Sequence, residues 1–379
     1  MSEKYNIAVI PGDGIGPEVT AEARKIVDAA SSMEGVALEW VDYPFGASHY
    51  LRTKEILPKS AIGEMSECDA MLLGAIGSPD VKPGILERGI LLALRFIFDQ
   101  YVNLRPAKSL PNVPTPVPLG ERGMDSVVIR ENTEDLYMGL GWIFEGTSDS
   151  LKTPFELERK GYSLRGSLEL SLSPNMPFAA QVALNTRHGV VRITRYACEE
   201  ARRRGESRVT IVTKSNAAPA LYGYFEDEAK RVIAEEFPDI KPDTANVDAL
   251  CYHLSRTPSA YGVLLCPNLF GDIISDLQAG LAGGLGTAAG GNIGEGLSMF
   301  EPVHGSAPDI AGTGRANPIA AILSGALMLK HLGFADATRR VERAVDAYLR
   351  ESSLKDFPFE FGGEMRCSDV GDAILRRLQ

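Results

Sequence analysis

The sequence predicts an α/β fold with mixed sheets, and three observations carry that prediction. Short apolar runs of strand character alternate with helical stretches along the chain. The chain opens with a strand, a glycine-rich turn and a helix, from Tyr5 to about Ala30. Farther on, the apolar run Tyr261–Cys266 is closed by Pro267-Asn268 and leads straight into a helix with apolar residues at Leu269, Phe270, Ile273, Ile274 and Leu277. At 379 residues and 44% hydrophobic content, the chain can bury a large core, and its length suggests two domains.

Taken in order, Tyr5–Ile10 is the first strand, and Gly12-Asp-Gly-Ile-Gly-Pro-Glu-Val19 is the turn that launches the first helix. Its glycine spacing does not match the G-x-G-x-x-G dinucleotide fingerprint, so no Rossmann site is read from it. Leu38–Val41 and Ala70–Leu73 are strands, and a helix from about Gly89 carries Arg95 and leads to Asn103-Leu-Arg105-Pro106. Ser126–Ile129 is a strand that delivers Arg130-Glu-Asn-Thr-Glu-Asp-Leu-Tyr137, a density of ionisable groups that packing does not need. Between about 146 and 188, alternation at Leu168, Leu170 and Leu172 suggests a protruding β arm, a candidate intersubunit clasp. Val190–Arg204 is an amphipathic helix stopped by Gly205. Arg208–Val212 is a strand running into Thr213-Lys214-Ser215-Asn216, Ala220–Phe237 is a helix, and Val247-Asp248 opens another. Gly280–Gly296 reads as a glycine-rich loop, and helices over Asn317–Leu332, Thr338–Glu351 and Ser368–Leu378 close the chain.

A net charge of -11 and a pI near 5.1 argue against nucleic acid as a partner, so an anionic ligand needs a local arginine cluster. The five cysteines (Cys68, Cys198, Cys251, Cys266, Cys367) are scattered without a C-x-x-C pair and read as free thiols of a reducing compartment. The first residues enter a strand-like run with no signal-peptide pattern, and no apolar run approaches the ~20 residues of a membrane span. The expectation is a soluble, cytoplasmic protein with no membrane partner.

The chemistry begins at Asp272 and Asp276, which share one face in the first turns of their helix. Two carboxylates on an apolar segment suit a hard divalent cation such as Mg²⁺ or Mn²⁺. An isolated D-x-x-x-D is more often a solvated acidic face, so the reading depends on the other motifs. GDGIGPEV at 12–19, LRP at 104–106, RENTEDLY at 130–137, TKSN at 213–216, NLFGDIISD at 268–276 and EPVHGSAPDIAG at 301–312 occur together. Their order and spacing resemble the β-decarboxylating dehydrogenases of isocitrate, 3-isopropylmalate, homoisocitrate and tartrate/D-malate, over nearly the whole chain.

That resemblance implies a two-domain fold unlike the Rossmann domain. One domain would hold both termini, 1–101 and 256–379, the other 102–255, with the active site in the cleft of a homodimer that shares residues between subunits. Arg95, Arg105 and Arg130 would hold the carboxylates of a malate-like substrate, where a planar guanidinium fork suits a bidentate pair. Asp272, Asp276 and Asp248 of the partner subunit would ligate Mg²⁺ or Mn²⁺. Lys214, also from the partner, would accept the C2 hydroxyl proton, and Tyr137 would protonate the enolate after carbon dioxide leaves. NAD would lie over His304, Gly305, Ser306 and Ala307, with Asn317 near the adenine. Asp309-Ile310 stands where NAD-dependent members carry an acid and an aliphatic residue, although Arg315 is a cation near that place.

The substrate's C3 substituent would meet the turn around Arg88, Leu91 and Leu92. Isocitrate enzymes place a serine and an asparagine there, so the paired leucines favour a small or apolar substituent of the isopropylmalate or tartrate/D-malate type. Phe98-Asp-Gln-Tyr-Val-Asn-Leu-Arg105 and Phe144-Glu-Gly-Thr147 lean the same way. Arg88 is the exception: facing the cleft it would pair with an extra anionic group, as in homoisocitrate, isocitrate or a phosphonate analogue, and facing solvent it would be a surface charge worth little. A non-catalytic regulatory subunit is the reading of another class. It would be expected to have lost some of Tyr137, Lys214 and the three aspartates, and this chain keeps them all.

Overall fold

The structure is a computed structural model and describes residues 3–121, 123–145, 151–172 and 176–378. The amino-terminal strands are β1 (Glu3–Gly12), β2 (Val36–Asp42) and β3 (Ala70–Ala75). β4 (Val102–Lys108) and β5 (Asp125–Glu131) follow, then the short β6 (Gly141–Phe144). The long pair β7 (Leu151–Arg159) and β8 (Tyr162–Leu170) precedes β9 (Phe178–Gln181). The remainder are β10 (Arg208–Thr213), β11 (Lys241–Asn246), β12 (Val263–Cys266), β13 (Ala289–Ile293) and β14 (Met299–Pro302).

Ten of these form one sheet in the order β11-β10-β12-β5-β4-β13-β14-β3-β1-β2. The two flanks are parallel, and the antiparallel steps are at the centre, where β4 pairs with β5 and β13 pairs with both β4 and β14. The fold is therefore α/β with mixed strand direction, as expected.

The centre of the sheet is also where the sequence pattern fails. Gly280–Gly296, expected as a loop, contains β13, a buried strand of Ala-Gly-Gly-Asn-Ile. Its glycines are required by its neighbours rather than by a turn: a Cβ on Gly291 would lie 3.0 Å from the Phe300 ring. β4 is hidden by Arg105 and Pro106, which break the apolar run that marks an ordinary buried strand.

Four apolar clusters fill the two sides of the sheet. Two combine the amino-terminal strands with residues from the carboxyl-terminal third, including Phe300, Ile322 and Tyr348. The other two draw on Val102 through Ala282, plus Ile293. β12 and the helix Asn268–Ala282, which the expected boundary at 256 assigned to the terminal lobe, pack into these central clusters through Leu264, Leu265, Phe270, Ile274 and Leu281.

Glu87–Leu92 is wound as a π-helix that continues into the α-helix Ala93–Ile97. A π-turn absorbs one extra residue in a helix and tends to occur at functional sites. In the expected arm, 146–150 and 173–175 lie outside the described residues. β7 and β8 form an antiparallel hairpin, and β6 pairs with β9. The hairpin tip docks on its own chain: Arg159 donates to the Met138 carbonyl at 3.2 Å and lies 3.9 Å over the Phe96 ring. The arm ends earlier than expected, because Thr186 caps the helix Arg187–Arg203 by accepting from Gly189 N. Among the described residues no helix is long and apolar enough to cross a membrane.

Candidate active site

β5 lies parallel to β12 with Arg130 opposite Cys266, so Arg130 leaves the sheet beside the start of the helix Asn268–Ala282. Its buried guanidinium donates from Nε to the Asn268 backbone oxygen and Oδ1 at 2.9 and 3.0 Å, and from Nη1 to Asp272 Oδ1 at 2.7 Å. Gly271 makes this approach possible, since a Cβ there would fall 2.5 Å from Arg130 Cγ. Tyr137 donates its hydroxyl to Asp272 Oδ2 at 2.5 Å, and its ring lies 5.0 Å from the Arg130 guanidinium carbon.

Arg105 projects from β4 onto the same helix and donates to Ser275 Oγ at 3.0 Å. Its Nη1 lies 3.3 Å from Asp276 Oδ1 and 3.7 Å from Asp272 Oδ1. One cationic nitrogen within reach of both carboxylates means that they converge, and each oxygen keeps lone pairs beyond those used. The donor set therefore fits a hard divalent cation. Among the described residues no three His, Cys, Asp or Glu side chains form a metal-holding group, so any third charged ligand would come from elsewhere.

Electrostatics divide the roles. Burial and the neighbouring Arg105 push the Arg130 guanidinium down to about 10. Burial opposes ionisation of Asp272, but Arg130, Arg105 and the Tyr137 hydroxyl together outweigh it and hold the carboxyl below its usual value. Asp276 moves the other way, raised by burial that Arg105 only partly offsets. Burial and the bond to Asp272 raise the Tyr137 phenol, so it rests protonated at neutral pH, as a proton donor must.

Arg95 is positioned by residues that sequence reasoning did not single out. Its Nη2 donates to Glu301 Oε1 at 3.0 Å, and Asn292 donates to the same oxygen at 2.8 Å. Asn292 Oδ1 in turn accepts from Asn103 and Asn132 at 2.9 and 3.1 Å. Glu301 opens the EPVHG motif and Asn132 lies in RENTEDLY, so both stood in quoted motifs; Asn292 was concealed in the supposed loop.

Two cavities flank the π-turn. Leu91, Glu87, Arg95, Arg105, His304 and Gly305 line one of 130 Å³. Arg88, Leu92, Tyr137, Trp142 and Gln181 line part of one of 820 Å³, with Arg88 solvent-exposed at its edge. A third, of 290 Å³, gathers His304, Ala307, Ile310 and Asn317 with Arg315, Glu360 and the backbone of the first glycine turn at Ile15. Ser306 faces that turn instead: its carbonyl accepts from Ile15 N at 2.9 Å, and a Cβ on Gly14 would lie 1.9 Å from the same oxygen. Asp309 is exposed beside the cavity. Asn317 donates to Glu360 Oε2 at 2.8 Å, while Glu360 Oε1 accepts from Gly286 N at 3.1 Å. Glu360 was missed because it lies in no quoted motif, only in a short Phe-Glu-Phe turn. Among the described residues His304 Nε2 is buried without a hydrogen-bond partner, and with the open space at Gly305 this fits a ligand bearing polar groups, as a dinucleotide does.

Lys214 and Asp248 are placed apart from this centre. Lys214 follows β10, Asp248 opens the helix Val247–Arg256, and Nζ meets Oδ1 at 2.7 Å. Among the described hydrogen bonds and ion pairs neither touches Tyr137, Asp272 or Asp276.

A phenol that rests protonated on a carboxylate, walled by buried guanidiniums, is a proton donor in a cationic setting, as a decarboxylating hydroxyacid dehydrogenase requires. Residues 6–374 match the family model described as isocitrate/isopropylmalate dehydrogenase, and the chain belongs to that family. It is 42% identical over 376 residues to the 3-isopropylmalate dehydrogenase of Thermobifida fusca, covering 98% of this chain and 97% of the relative. It is 42% identical over 382 residues to that of Streptomyces coelicolor, covering 100% and 99%. Among solved structures, isocitrate dehydrogenase from Methylococcus capsulatus superposes with a TM-score of 0.83 at 34% identity, covering 99% of both chains. A second solved structure, of a Thermus thermophilus protein, gives a TM-score of 0.81 at 33% identity, covering 98% of this chain and 68% of that one.

Proposed function

We propose that the protein is a cytoplasmic homodimer that oxidises a 3-substituted malate with NAD and releases carbon dioxide, using Mg²⁺ or Mn²⁺. The observation that carries this reading is the Tyr137–Asp272 hydrogen bond beneath Arg130 and beside Arg105. Arg95, Arg105 and Arg130 bind the substrate carboxylates and fix its orientation. The partner's Lys214 takes the C2 hydroxyl proton, and NAD, when bound, would supply the hydride acceptor for C2. Tyr137 then delivers its proton to the enolate carbon left when the C3 carboxylate departs. Asp272 and Asp276, with the partner's Asp248, would hold the metal; when bound, it supplies Lewis-acid stabilisation of charge developing on the C2 oxygen.

NAD is the cofactor in this reading because Glu360 brings a carboxylate to the 290 Å³ cavity and the exposed Asp309 directly precedes Ile310, which lines it, a setting that suits ribose hydroxyls and disfavours a 2′-phosphate. Arg315 does not reverse this, since its guanidinium lies 4.8 Å from the Phe359 ring centroid. The leucines at 91 and 92 favour a small or apolar C3 substituent. One observation supports a second reading, a substituent ending in an anionic group. Arg88 borders the 820 Å³ cavity and, among the described residues, only its Nε is committed, to the Gly84 carbonyl at 2.8 Å.

The test is reduction of NAD and of NADP, read by near-ultraviolet absorbance, across tartrate, D-malate, 3-isopropylmalate, isocitrate and homoisocitrate with Mn²⁺. The expected result is the highest kcat/KM with NAD and an apolar or small C3 substituent. Isocitrate as best substrate, or NADP as best cofactor, would overturn the corresponding part. Selective loss of a tri-anionic substrate in Arg88→Ala would install the second reading.

A further inference from the structure

We propose that Asp135 is a positioning residue that locks the proton donor Tyr137 to the helix bearing Asp272 and Asp276, and ties that helix to the Lys214 loop. The inference rests on the reading of Tyr137 as proton donor. The helix Asn268–Ala282 follows Pro267 and has no side-chain cap from its own N-terminal flank. The first backbone N–H groups of a helix lack intrahelical partners and favour negative charge. Here the cap comes from far along the sequence: Asp135 Oδ2 accepts from Leu269 N at 2.9 Å.

The flanking residues reinforce this join. The Glu134 carbonyl accepts from Asn268 Nδ2 at 3.1 Å, and Tyr137 donates to Asp272. The segment 134–137 is thereby fastened at three points to the first turns of one helix. Asp135 itself is fully buried with φ +60, a left-handed conformation that a residue with a Cβ keeps only when its surroundings enforce it. Its backbone N–H donates to the Leu184 carbonyl at 2.9 Å.

The second carboxylate oxygen reaches in another direction. Asp135 Oδ1 accepts from the Tyr222 hydroxyl at 3.3 Å, and the Tyr222 ring packs on Phe270 with centroids 4.3 Å apart. The Tyr222 carbonyl accepts from Thr213 Oγ1 at 3.3 Å, one residue before Lys214. A single carboxylate thus fixes the phenol and the acidic helix of one site and steadies the loop that offers Lys214.

Three variants test this. Asp135→Gly removes the cap while relieving the left-handed backbone, so strain cannot explain its effect. Asp135→Asn keeps an acceptor oxygen and tolerates the same conformation. Leu269→Pro removes the donor instead of the acceptor, at a helix start where proline is tolerated. The Gly and Pro variants should lose about 100-fold in kcat, the scale of a small misplacement of a reacting group, with KM for substrate and NAD nearly unchanged. Amide exchange at Gly271, whose N–H donates to the Pro267 carbonyl at 2.8 Å, should speed up in both variants of the unliganded protein, and Asn should keep kcat and exchange near those of the unaltered protein. Wild-type kcat and exchange in Asp135→Gly or Leu269→Pro would overturn the inference, as would Asn falling as far as Gly. If the unaltered protein reduces no nicotinamide with any malate, the reading of Tyr137 fails, while the exchange measurement still decides whether Asp135 holds the helix.

Discussion

Arg130–Asp272 and Lys214–Asp248 are both cation–carboxylate pairs at 2.7 Å, and they differ in almost everything else. The Arg130 side chain is 1% exposed and Asp272 33%, whereas Lys214 and Asp248 are 27% and 67% exposed. The first pair is embedded among Asn268, Tyr137 and Arg105; the second is held by one ion pair at the start of a helix. Removing one partner of a buried pair strands a charge and costs about 3–5 kcal/mol, while an exposed pair contributes ~0–1 kcal/mol. Stability therefore explains the first pair in part and leaves the second without a structural purpose inside this chain. An outward-facing aspartate holding a half-buried lysine is what a site shared between two copies would require.

The sharpest way to break that comparison is complementation. Tyr137→Phe and Lys214→Ala should each lose turnover by roughly 10²–10⁴-fold, the usual worth of a positioned acid or base. If the exposed pair serves the partner's site, mixing the two inactive proteins and allowing subunits to exchange restores activity. Each mixed dimer then has one intact site and one that lacks both groups, so random exchange returns about a quarter of the wild-type rate. Proven exchange with no recovered activity would assign Lys214 to its own chain's site.

The second test separates charge that binds metal from charge that holds the fold. Asp276 is half-exposed and meets Arg105 at 3.3 Å, whereas Asp272 is engaged by Arg130, Arg105 and Tyr137 at once. Asp276→Asn should raise the Mn²⁺ concentration needed for half-maximal turnover by about 10-fold or more while leaving Tm nearly unchanged. Asp272→Asn should impair both, because it also leaves Arg130 buried without its counter-charge. An unaltered Mn²⁺ requirement in Asp276→Asn would remove that residue from the metal site.

The same contrast explains what the sequence reveals and what it hides. Tyr137, Arg130 and the two helix aspartates were legible because they cluster in short segments at strand ends, where packing has no use for charge. The elements that carry them were less so. β13 is made of glycines dictated by Phe300, and β4 is interrupted by Arg105 and Pro106, so neither shows the periodicity of a strand. The parallel strands β1, β2, β3, β5, β10 and β12, whose apolar runs face the clusters directly, were read as strands, while the polar edge strand β11 and the short helices Ala47–Thr53 and Lys59–Met65 were not. Supporting polar residues such as Glu301, Asn292 and Glu360 act through partners distant in the chain, and no local pattern announces a long-range hydrogen bond. The π-turn belongs to the same class, since its extra residue has no local signature until the strands and helices on either side are in place.

The smallest expected effect concerns the buried side of the comparison, one turn from Tyr137. Glu134 is fully buried and accepts from Thr186 N and Oγ1 at 2.8 and 2.6 Å. Burial, and then the charge of the neighbouring Glu131, push its carboxyl up to about 7. Facing it are the Tyr162 hydroxyl and the Arg159 guanidinium from the arm hairpin, with Arg192 of the helix Arg187–Arg203 near Glu131. A carboxyl whose folded value lies above its unfolded one binds its proton more tightly in the native state. Its contribution to stability is therefore complete below the unfolded value and is lost as pH rises toward and through about 7. Glu134→Gln removes the titration and keeps an acceptor for Thr186. Its Tm should match that of the unaltered protein near pH 5 and exceed it by a few degrees near pH 8, so that the variant's Tm changes less across this interval. Parallel Tm profiles for the two proteins would show that Glu134 is ionised in the fold at neutral pH, held there by Arg159 and Arg192.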